Sequence, residues 1–159
     1  MDNIRVVVDT NVFINGIFKQ DEFAKAIFRL KSSNKICFVM NKEMQNELLI
    51  TFSTILLEAY KKRNKEGEEI GIIPLSASLS KCLWQVREVD HIIHTNLCKE
   101  DPSDNKFIDC CIDDDVKYLI TQDTHLNSIA NKIKKDYNIE VLSPFQFYTK
   151  YKTKQLEWN

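Results

Sequence analysis

The sequence has few of the residues that mark linkers, membrane segments or disulfide frameworks. It contains only three Gly and three Pro in 159 residues, which leaves little room for flexible linkers or low-complexity tracts. No apolar run approaches the roughly 20 residues of a membrane-spanning helix, and the N-terminus has no charged-then-apolar signal pattern. The five Cys are odd in number and form no CxxC pair, which is typical of reduced thiols. We therefore expect a soluble cytoplasmic protein.

The sequence also has no excess of positive or negative charge. Lys and Arg number 22 and Asp and Glu number 23, for a formal net charge of -1. This balance argues against binding to nucleic acid by bulk charge alone, although it permits a local basic patch. The sequence also lacks a Gly-rich phosphate loop and any local Ser or Cys nucleophile motif, which disfavours P-loop or Rossmann nucleotide binding and covalent catalysis.

The residues that are present predict one α/β domain over positions 1–159. Short apolar, β-branched runs of the kind buried on both faces of a parallel sheet alternate with amphipathic helical patterns. These runs occupy residues 4–8, 36–40, 117–121 and 139–142. Such alternation is typical of right-handed βαβ units. We expect a three-layer α/β/α sandwich with a mainly parallel central sheet.

Two further stretches of the sequence have the apolar periodicity of helices. Asn41 is a plausible N-cap for a helix with an apolar stripe that begins at Met44. A second pattern continues from Leu79 to Val89, and its apolar face could support self-association or could simply pack on the core. The polar residues 61–71 are interpreted as a helix end and a surface connection.

Four acids are candidates for a site at the carboxyl edge of the sheet, where open α/β sheets bind ligands. Asp9 directly follows the first strand, and Asp123 follows the third after one intervening residue. Asp104 precedes a helix that Ser103 or Asp104 would cap, and Glu47 lies at the margin of the apolar stripe of its helix.

Carboxylates that converge in a partly buried site repel one another and need cations. No Lys or Arg stands directly beside these acids in the sequence, so we expect hard divalent ions as the counter-charge. Oxygen ligands favour Mg²⁺ or Mn²⁺ over zinc. A pair of such ions supports hydrolysis of phosphodiesters. Asp9, Glu47, Asp104 and Asp123 are therefore predicted metal ligands and catalytic residues.

Each of these acids also has an ordinary structural explanation as a turn residue, a helix cap or a solvated helix residue. Asp101, which precedes Pro102, has the strongest such explanation. Glu43 lies one helical turn before Glu47 and is the alternative ligand, although its helical phase points farther from the apolar stripe. Residues 113–115 are three consecutive Asp, which we expect in a solvated loop at the opposite edge of the sheet.

Other chemistry-bearing residues give weaker signals. His91, His94 and Cys98 have a spacing that could suggest zinc, but no fourth ligand follows at a telling distance. His125 could approach the site around Asp123 or be exposed. Lysine-rich clusters could bind single-stranded nucleic acid, with tyrosines interleaved in the last one, or be solvated surface. They comprise Lys61, Lys62, Arg63 and Lys65; Lys132, Lys134 and Lys135; and Lys150, Lys152 and Lys154 beside Tyr148 and Tyr151.

The sequence resembles the PIN-domain ribonucleases over nearly its whole length. Residues 6–13 (VVVDTNVF) resemble the opening motif of the family. Residues 101–107 and 118–126 resemble its later motifs in the expected order and spacing, and residues 46–48 fall where the family has its helical glutamate. Residues 139–147 resemble its closing strand, Ser-Pro and final helix. The similarity is greatest to the bacterial VapC-like branch, the toxins of toxin–antitoxin pairs.

The resemblance implies a metal-dependent endoribonuclease that hydrolyses single-stranded RNA. Its acids correspond to Asp9, Glu47, Asp104 and Asp123, and Asn11 and Thr121 support the site. Mg²⁺ or Mn²⁺ is the implied cofactor and RNA the implied substrate. An antitoxin that occupies the pocket is the implied protein partner, and a homodimer is compatible with the family.

The sequence departs from the family pattern at three positions, and other functions are compatible with it. Gln122 stands where a Gly or Arg is frequent, and Cys110 and Cys111 replace the usual pair of the Leu-Ala type. A non-catalytic PIN-like module that binds RNA or protein, and an RNA-processing nuclease that is not a toxin, are the alternatives. Phosphatases and receiver domains that place an Asp at a strand end need a second acid where Thr10 or Asn11 stands.

Overall fold

A parallel sheet of five strands forms the centre of the protein in the computed structural model, which describes residues 3–66 and 72–157. The strands are β1 (Ile4–Val8), β2 (Ile36–Met40), β3 (Arg87–Glu88), β4 (Tyr118–Ile120) and β5 (Glu140–Leu142). They lie in the order β3-β2-β1-β4-β5, and each neighbouring pair is parallel. The predicted mainly parallel sheet is confirmed, with one short strand more than the sequence indicated.

Helices flank this sheet and complete the predicted three-layer α/β/α sandwich. In the described ranges they are α1 (Thr10–Ile17), α2 (Glu22–Ser32), α3 (Lys42–Glu66), α4 (Ile72–Leu83), α5 (Asn105–Asp113), α6 (Thr124–Ser128), α7 (Ala130–Tyr137) and α8 (Pro144–Lys152). A 3₁₀ turn at Pro102–Asp104 precedes α5. Within those ranges, no helix combines the length and apolarity needed to cross a bilayer. Residues 67–71 of the expected surface connection lie outside the described residues.

Strand β1 occupies the middle of the sheet because its side chains are apolar on both faces. Val6, Val7 and Val8 are at most 1% exposed, as the continuous valine run predicts for a strand covered by helices on both sides. Ile4 to Val6 pair with β2, whereas Val7 and Val8 pair with β4. The backbone N–H of Asp9 extends the second pairing by donating to the carbonyl of Ile120 at 2.9 Å.

The strand order creates a crevice next to the carboxyl end of β1. The chain moves from β1 to β2 on one side, and later places β4 on the other side. Crevices of this kind, where the direction of strand addition reverses, are the usual ligand sites of open α/β sheets. Asp9 after β1 and Asp123 after β4 both stand at this point.

Helix α4 is shorter than the apolar pattern predicts. It ends at Leu83, because Gln85 adopts a left-handed backbone conformation with φ of 54°, which an α-helix cannot contain. The ammonium of Lys31 donates to the carbonyl of Trp84 and so places a positive charge at the negative end of the helix. The chain then forms β3, whose two residues, Arg and Glu, carry no apolar signal.

The predicted self-association face on α4 is not exposed. Leu79 is buried in the core, and Leu83 and Val86 are partly buried against it. Of the two alternatives for these residues, the structure favours packing on the core.

The acidic run 113–115 lies away from the carboxyl edge of the sheet, but it is not simply a solvated loop. The Asp114 carboxylate is only 8% exposed and lies 2.9 Å from Arg5 Nη1 and 2.8 Å from Arg87 Nη2. Burial alone would raise the pKa of Asp114, but the hydrogen bonds and charges of Arg87 and Arg5 outweigh it and lower the pKa. The sequence interpretation missed this because both arginines come from distant strands.

Asp114→Asn should lower the free energy of unfolding by about 1–3 kcal/mol at pH 7, because it removes a carboxylate that pairs with two partly exposed arginines. A group with a lowered folded-state pKa stabilises the protein above its unfolded-state pKa, near 3.9, and the stabilisation disappears as the pH falls through the folded value. Urea unfolding of both proteins should therefore show a difference at pH 7 that shrinks in acid. Asp115→Asn, at an exposed position, is the matched control and should cost little; an equal loss in both variants would contradict the ion-pair explanation.

Candidate active site

Asp9 is the most buried acid of the candidate site, with 4% exposure. It follows β1 directly and caps helix α1, since its Oδ1 accepts the backbone N–H of Asn11 at 3.2 Å. Its Oδ2 accepts the Asn11 side-chain amide at 2.9 Å and the Thr121 hydroxyl at 2.5 Å. The two residues expected to support the site therefore both hold the Asp9 carboxylate. Asn11 does so from α1, and Thr121 from the end of β4.

Thr121 also connects Asp9 to Asp123. Its hydroxyl oxygen accepts the backbone N–H of Asp123 at 2.8 Å while donating to Asp9. The Oδ1 of Asp123 accepts the backbone N–H groups of His125 and Leu126 at 2.7 and 3.2 Å and so caps α6. Both strand-end acids thus fulfil the ordinary role of a helix cap. The capping bonds of Asp123 use Oδ1 only, which leaves its Oδ2 available to a ligand.

Asp104 stands at the N-cap position of α5, but its side chain makes no capping hydrogen bond. Asp104 thus occupies the expected N-cap position, but the expected capping hydrogen bond is not made. Asp101 takes the capping role one turn earlier, since its Oδ1 accepts the backbone N–H of Ser103 at 3.1 Å and the Ser103 hydroxyl at 2.6 Å. This agrees with Asp101 as a turn residue and leaves the half-buried carboxylate of Asp104 uncommitted to the helix.

Glu47 lies on α3 opposite the start of α5. Asn41 caps α3 by accepting the backbone N–H of Met44 at 2.9 Å, and its side-chain amide is 3.5 Å from the carbonyl of Lys106. This contact sets the two helices side by side. The Lys106 ammonium lies 2.5 Å from Glu47 Oε2 and donates to the carbonyl of Ser103 at 2.7 Å.

Lys106, which contacts Glu47, is the residue beside the acids that the sequence interpretation missed. Its side chain is 8% exposed, and its Nζ lies 4.7 Å from the centre of the Phe107 ring. The available signal was its position two residues after Asp104, at the start of a helix. A lysine ammonium therefore lies among the acids. The sequence predicts no such cation, because no Lys or Arg directly neighbours these acids in the sequence.

The structure brings all four candidate acids to one cavity of about 350 Å³. Asp9, Glu47, Asp104 and Asp123 line it, together with Asn11, Thr10, Ile14, Asn15, Lys19 and Thr51. Glu43 is elsewhere: it is 61% exposed, and its Oε1 lies 3.3 Å from His91 Nδ1. Of the two glutamates one turn apart, Glu47 is the one on the cavity wall.

The acids of this cavity repel one another. The pKa of Asp9 is raised to about 6, mainly by burial and further by the charges of Asp123 and Glu47, although the hydrogen bonds from Thr121 and Asn11 oppose the shift. The pKa of Asp104 is raised to about 7 by burial and by the charges of Asp9, Asp101 and Asp123, with Lys106 in opposition. One lysine therefore does not neutralise the cluster. An all-oxygen donor set with unbalanced negative charge fits hard divalent cations such as Mg²⁺ or Mn²⁺.

Comparison with known proteins agrees with this arrangement. A family model described as the PIN domain matches residues 5–125. The chain belongs to the PIN-domain family. The matched range includes all four acids of the cavity.

A solved structure shares the fold of this PIN domain. It is the crystal structure of VapBC2 from Rickettsia felis bound to a DNA fragment from their promoter, with a TM-score of 0.55 and 14% sequence identity over 87% of this chain and 98% of that chain. At this identity the likeness concerns the fold alone. No curated protein matches this sequence.

The remaining sequence candidates lie outside the acid cavity. His125 lines a separate cavity, with its Nδ1 2.9 Å from Glu100 Oε2. In the lysine clusters, Lys132 pairs with Asp136, and Lys134 and Lys150 pair with Glu140. The tyrosines of the last cluster are Tyr148 and Tyr151, which pack on the core. Lys61, Lys62 and Arg63 are exposed on α3, whereas the side chain of Lys65 lies outside the described residues.

Thr121→Val should lower the free energy of unfolding by about 1–3 kcal/mol. The substitution keeps the side-chain shape but removes the hydroxyl that donates to Asp9 and accepts from Asp123. Thr121→Ser keeps the hydroxyl and is the matched control. Urea unfolding in EDTA measures both. A serine variant as unstable as the valine variant would assign the effect to packing of the methyl group.

Proposed function

We propose that this PIN-domain protein is a Mg²⁺- or Mn²⁺-dependent endoribonuclease that cleaves single-stranded RNA, and that it acts as a VapC-like toxin. The observation that carries the proposal is the convergence of four carboxylates, from four separate chain segments, on one cavity at the carboxyl edge of the sheet. Their mutual repulsion supports a role as cation ligands, since a merely structural cluster would gain nothing from it.

Each acid has a distinct position in the proposed site. Asp9 is held by Thr121 and Asn11, so its carboxylate is fixed before any cation arrives. Asp123 is fixed through the capping bonds of its Oδ1, and Asp104 carries a carboxylate that capping leaves uncommitted. Glu47 is oriented by Lys106. When bound, divalent cations would activate water and offset charge on the phosphodiester.

The substrate assignment rests on the cavity wall and on the family. Lys19, which is exposed, lines the cavity together with Asn15, whose side-chain amide donates to Gln122 Oε1 at 2.6 Å. An exposed lysine on the wall of a cation-binding cluster suits an incoming phosphate. Metal-dependent cleavage of RNA is the activity that the family resemblance implies for this set of acids.

The toxin assignment rests on the relatives. The solved structure that shares the fold is VapBC2 from Rickettsia felis bound to a DNA fragment from their promoter. We infer that this protein likewise has an antitoxin partner, and that a segment of the antitoxin covers the acid cavity. A neighbouring gene for a small DNA-binding protein, whose product suppresses cleavage when co-expressed, would support this partner. An RNA-processing role would instead leave the protein active without any such inhibitor.

Glu47→Gln should reduce cleavage of a fluorescent single-stranded RNA roughly 100-fold or more, because an amide is a weaker ligand for a hard cation than a carboxylate. Glu43→Gln, one helical turn away and exposed, is the matched control and should keep the wild-type rate. Both variants should be assayed with MgCl₂, MnCl₂ or EDTA, and the wild type should be inactive in EDTA.

Three results would contradict the proposed function. They are full cleavage in EDTA, equal loss in the two glutamine variants, and RNA binding without cleavage in every metal. The last result would identify a non-catalytic RNA-binding module.

Asp104→Asn should raise the melting temperature of the metal-free protein at pH 8 while it abolishes cleavage. A carboxyl with a raised pKa destabilises the folded state once it is ionised, and asparagine removes that charge. Addition of MgCl₂ should have the opposite effect on this difference, because the cation should raise the melting temperature of the wild type more than that of the variant. Differential scanning fluorimetry with EDTA or MgCl₂ tests this, and a less stable metal-free variant would contradict the electrostatic account.

A further inference from the structure

A second cluster of metal-binding side chains lies outside the acid cavity. His91 and His94, in the segment between β3 and the 3₁₀ turn, meet Asp109 of α5, and their ligand atoms all lie within 4.8 Å of one another. His91 Nε2 is 3.0 Å from Asp109 Oδ2, and the two imidazole rings are 4.4 Å apart between centres. Cys98, which shares the sequence spacing of the histidines, is not a member of this group.

The segment that carries the histidines is fixed by side chains of α5 at intervals of four residues. Asn105 Oδ1 accepts the backbone N–H groups of Leu97 and Cys98 at 3.0 and 2.9 Å. One turn later, Asp109 Oδ1 accepts the backbone N–H and the hydroxyl of Thr95 at 2.8 and 2.6 Å. The histidines are therefore positioned by the fold.

Asp113 holds the beginning of the same segment. Its two carboxylate oxygens accept the backbone N–H groups of Ile92 and Ile93 at 3.1 and 3.0 Å. Both residues lie between the two histidines in the sequence. This pairing fixes the short stretch of backbone that sets the separation of the two imidazoles.

We propose that His91, His94 and Asp109 bind one Zn²⁺ ion. Two imidazoles and one carboxylate form a borderline donor set that suits zinc, in contrast to the all-oxygen cavity. Ligands of a tetrahedral zinc with bonds of about 2.0–2.1 Å lie about 3.3 Å apart. The His91 to Asp109 separation of 3.0 Å is close to that value.

Neighbouring groups complete the usual surroundings of such a site. Within the described residues, His91 Nδ1 is buried without a hydrogen-bond partner, and Glu43 Oε1 lies 3.3 Å from it. The Nε2 atom, which faces Asp109, is therefore the ligand atom of the proposed site. The second oxygen of Asp109 is occupied by Thr95, which orients the carboxylate. Asp109 is buried, whereas His94 is exposed. The site is thus anchored on the inside and open to solvent on the outside.

The cysteines are poor competitors for zinc. All five are free thiols, and Cys82, Cys98, Cys110 and Cys111 are buried. Burial raises the pKa of Cys82 and Cys110 to about 12, which opposes formation of the thiolates that zinc prefers. A bound ion would tie the segment around His91 to α5, whose first turn follows Asp104.

The test is titration of the metal-free full chain with ZnCl₂, in excess MgCl₂, by isothermal calorimetry. We expect one zinc ion per chain and a rise in melting temperature. His94→Ala should weaken this binding at least about tenfold and keep the fold, since the side chain is exposed. His125→Ala removes the third histidine of the chain and is the matched control, which should bind like the wild type.

Two further arms separate this site from the proposed nuclease site. Zinc binding should persist in Glu47→Gln, and the Co²⁺ complex of the wild type should show no thiolate charge-transfer band. The proposal is overturned if the wild type takes up no zinc, which would leave His91 as a bridge between two carboxylates. It is also overturned if His94→Ala binds as tightly as the wild type, or if Glu47→Gln alone removes the binding.

Discussion

Repulsion between carboxylates at the end of the central strand is the constraint on which the rest of the candidate site depends. Strand β1 must be apolar on both faces to occupy the middle of the sheet, yet Asp9 follows it immediately and is itself buried. The pairing of β1 with β4 brings a second acid, Asp123, to the same point. The two helices that pack above this edge add Glu47 and Asp104. Each element therefore adds negative charge to the same partly buried place.

The fold offsets part of this repulsion and leaves the remainder for a ligand. Thr121 and Asn11 direct hydrogen bonds at Asp9, and Lys106 supplies one positive charge between α3 and α5. Burial, and after it the charges of the other acids, nevertheless keep the pKa values of Asp9 and Asp104 raised, to about 6 and about 7. In the proposed function, this arrangement prepares the site for divalent cations, at some cost in stability to the cation-free protein.

Sequence patterns predicted the parts of the fold whose signals are local. The bounds of β1 and β2 agree with their apolar runs, since every residue of the two strands except Arg5 is apolar. Strand β3 was missed because Arg87 and Glu88 belong to the sheet only through pairing with β2. The end of α4 depends on a left-handed Gln85 and on Lys31, a residue from another helix.

The candidate site likewise contains residues that have a local sequence signal and residues that only the folded chain brings together. Asp9 and Asp123 could be located because strand ends are visible in the sequence, and Glu47 because helical phase distinguishes it from Glu43. The contact of Lys106 with Glu47 could not be predicted from the sequence, because it exists only through the packing of α5 against α3. Asp109 likewise joins His91 and His94 only in the folded chain, so sequence spacing pointed to Cys98 instead.

The most direct test of the central claim is the location of Mn²⁺ in crystals grown with MnCl₂, by anomalous diffraction at the manganese edge. The account predicts one or two manganese peaks in the acid cavity, within about 2.0–2.6 Å of carboxylate oxygens, with Asp9 and Asp104 among the ligands. An acid cavity without manganese, at a concentration that saturates the change in melting temperature, would contradict it.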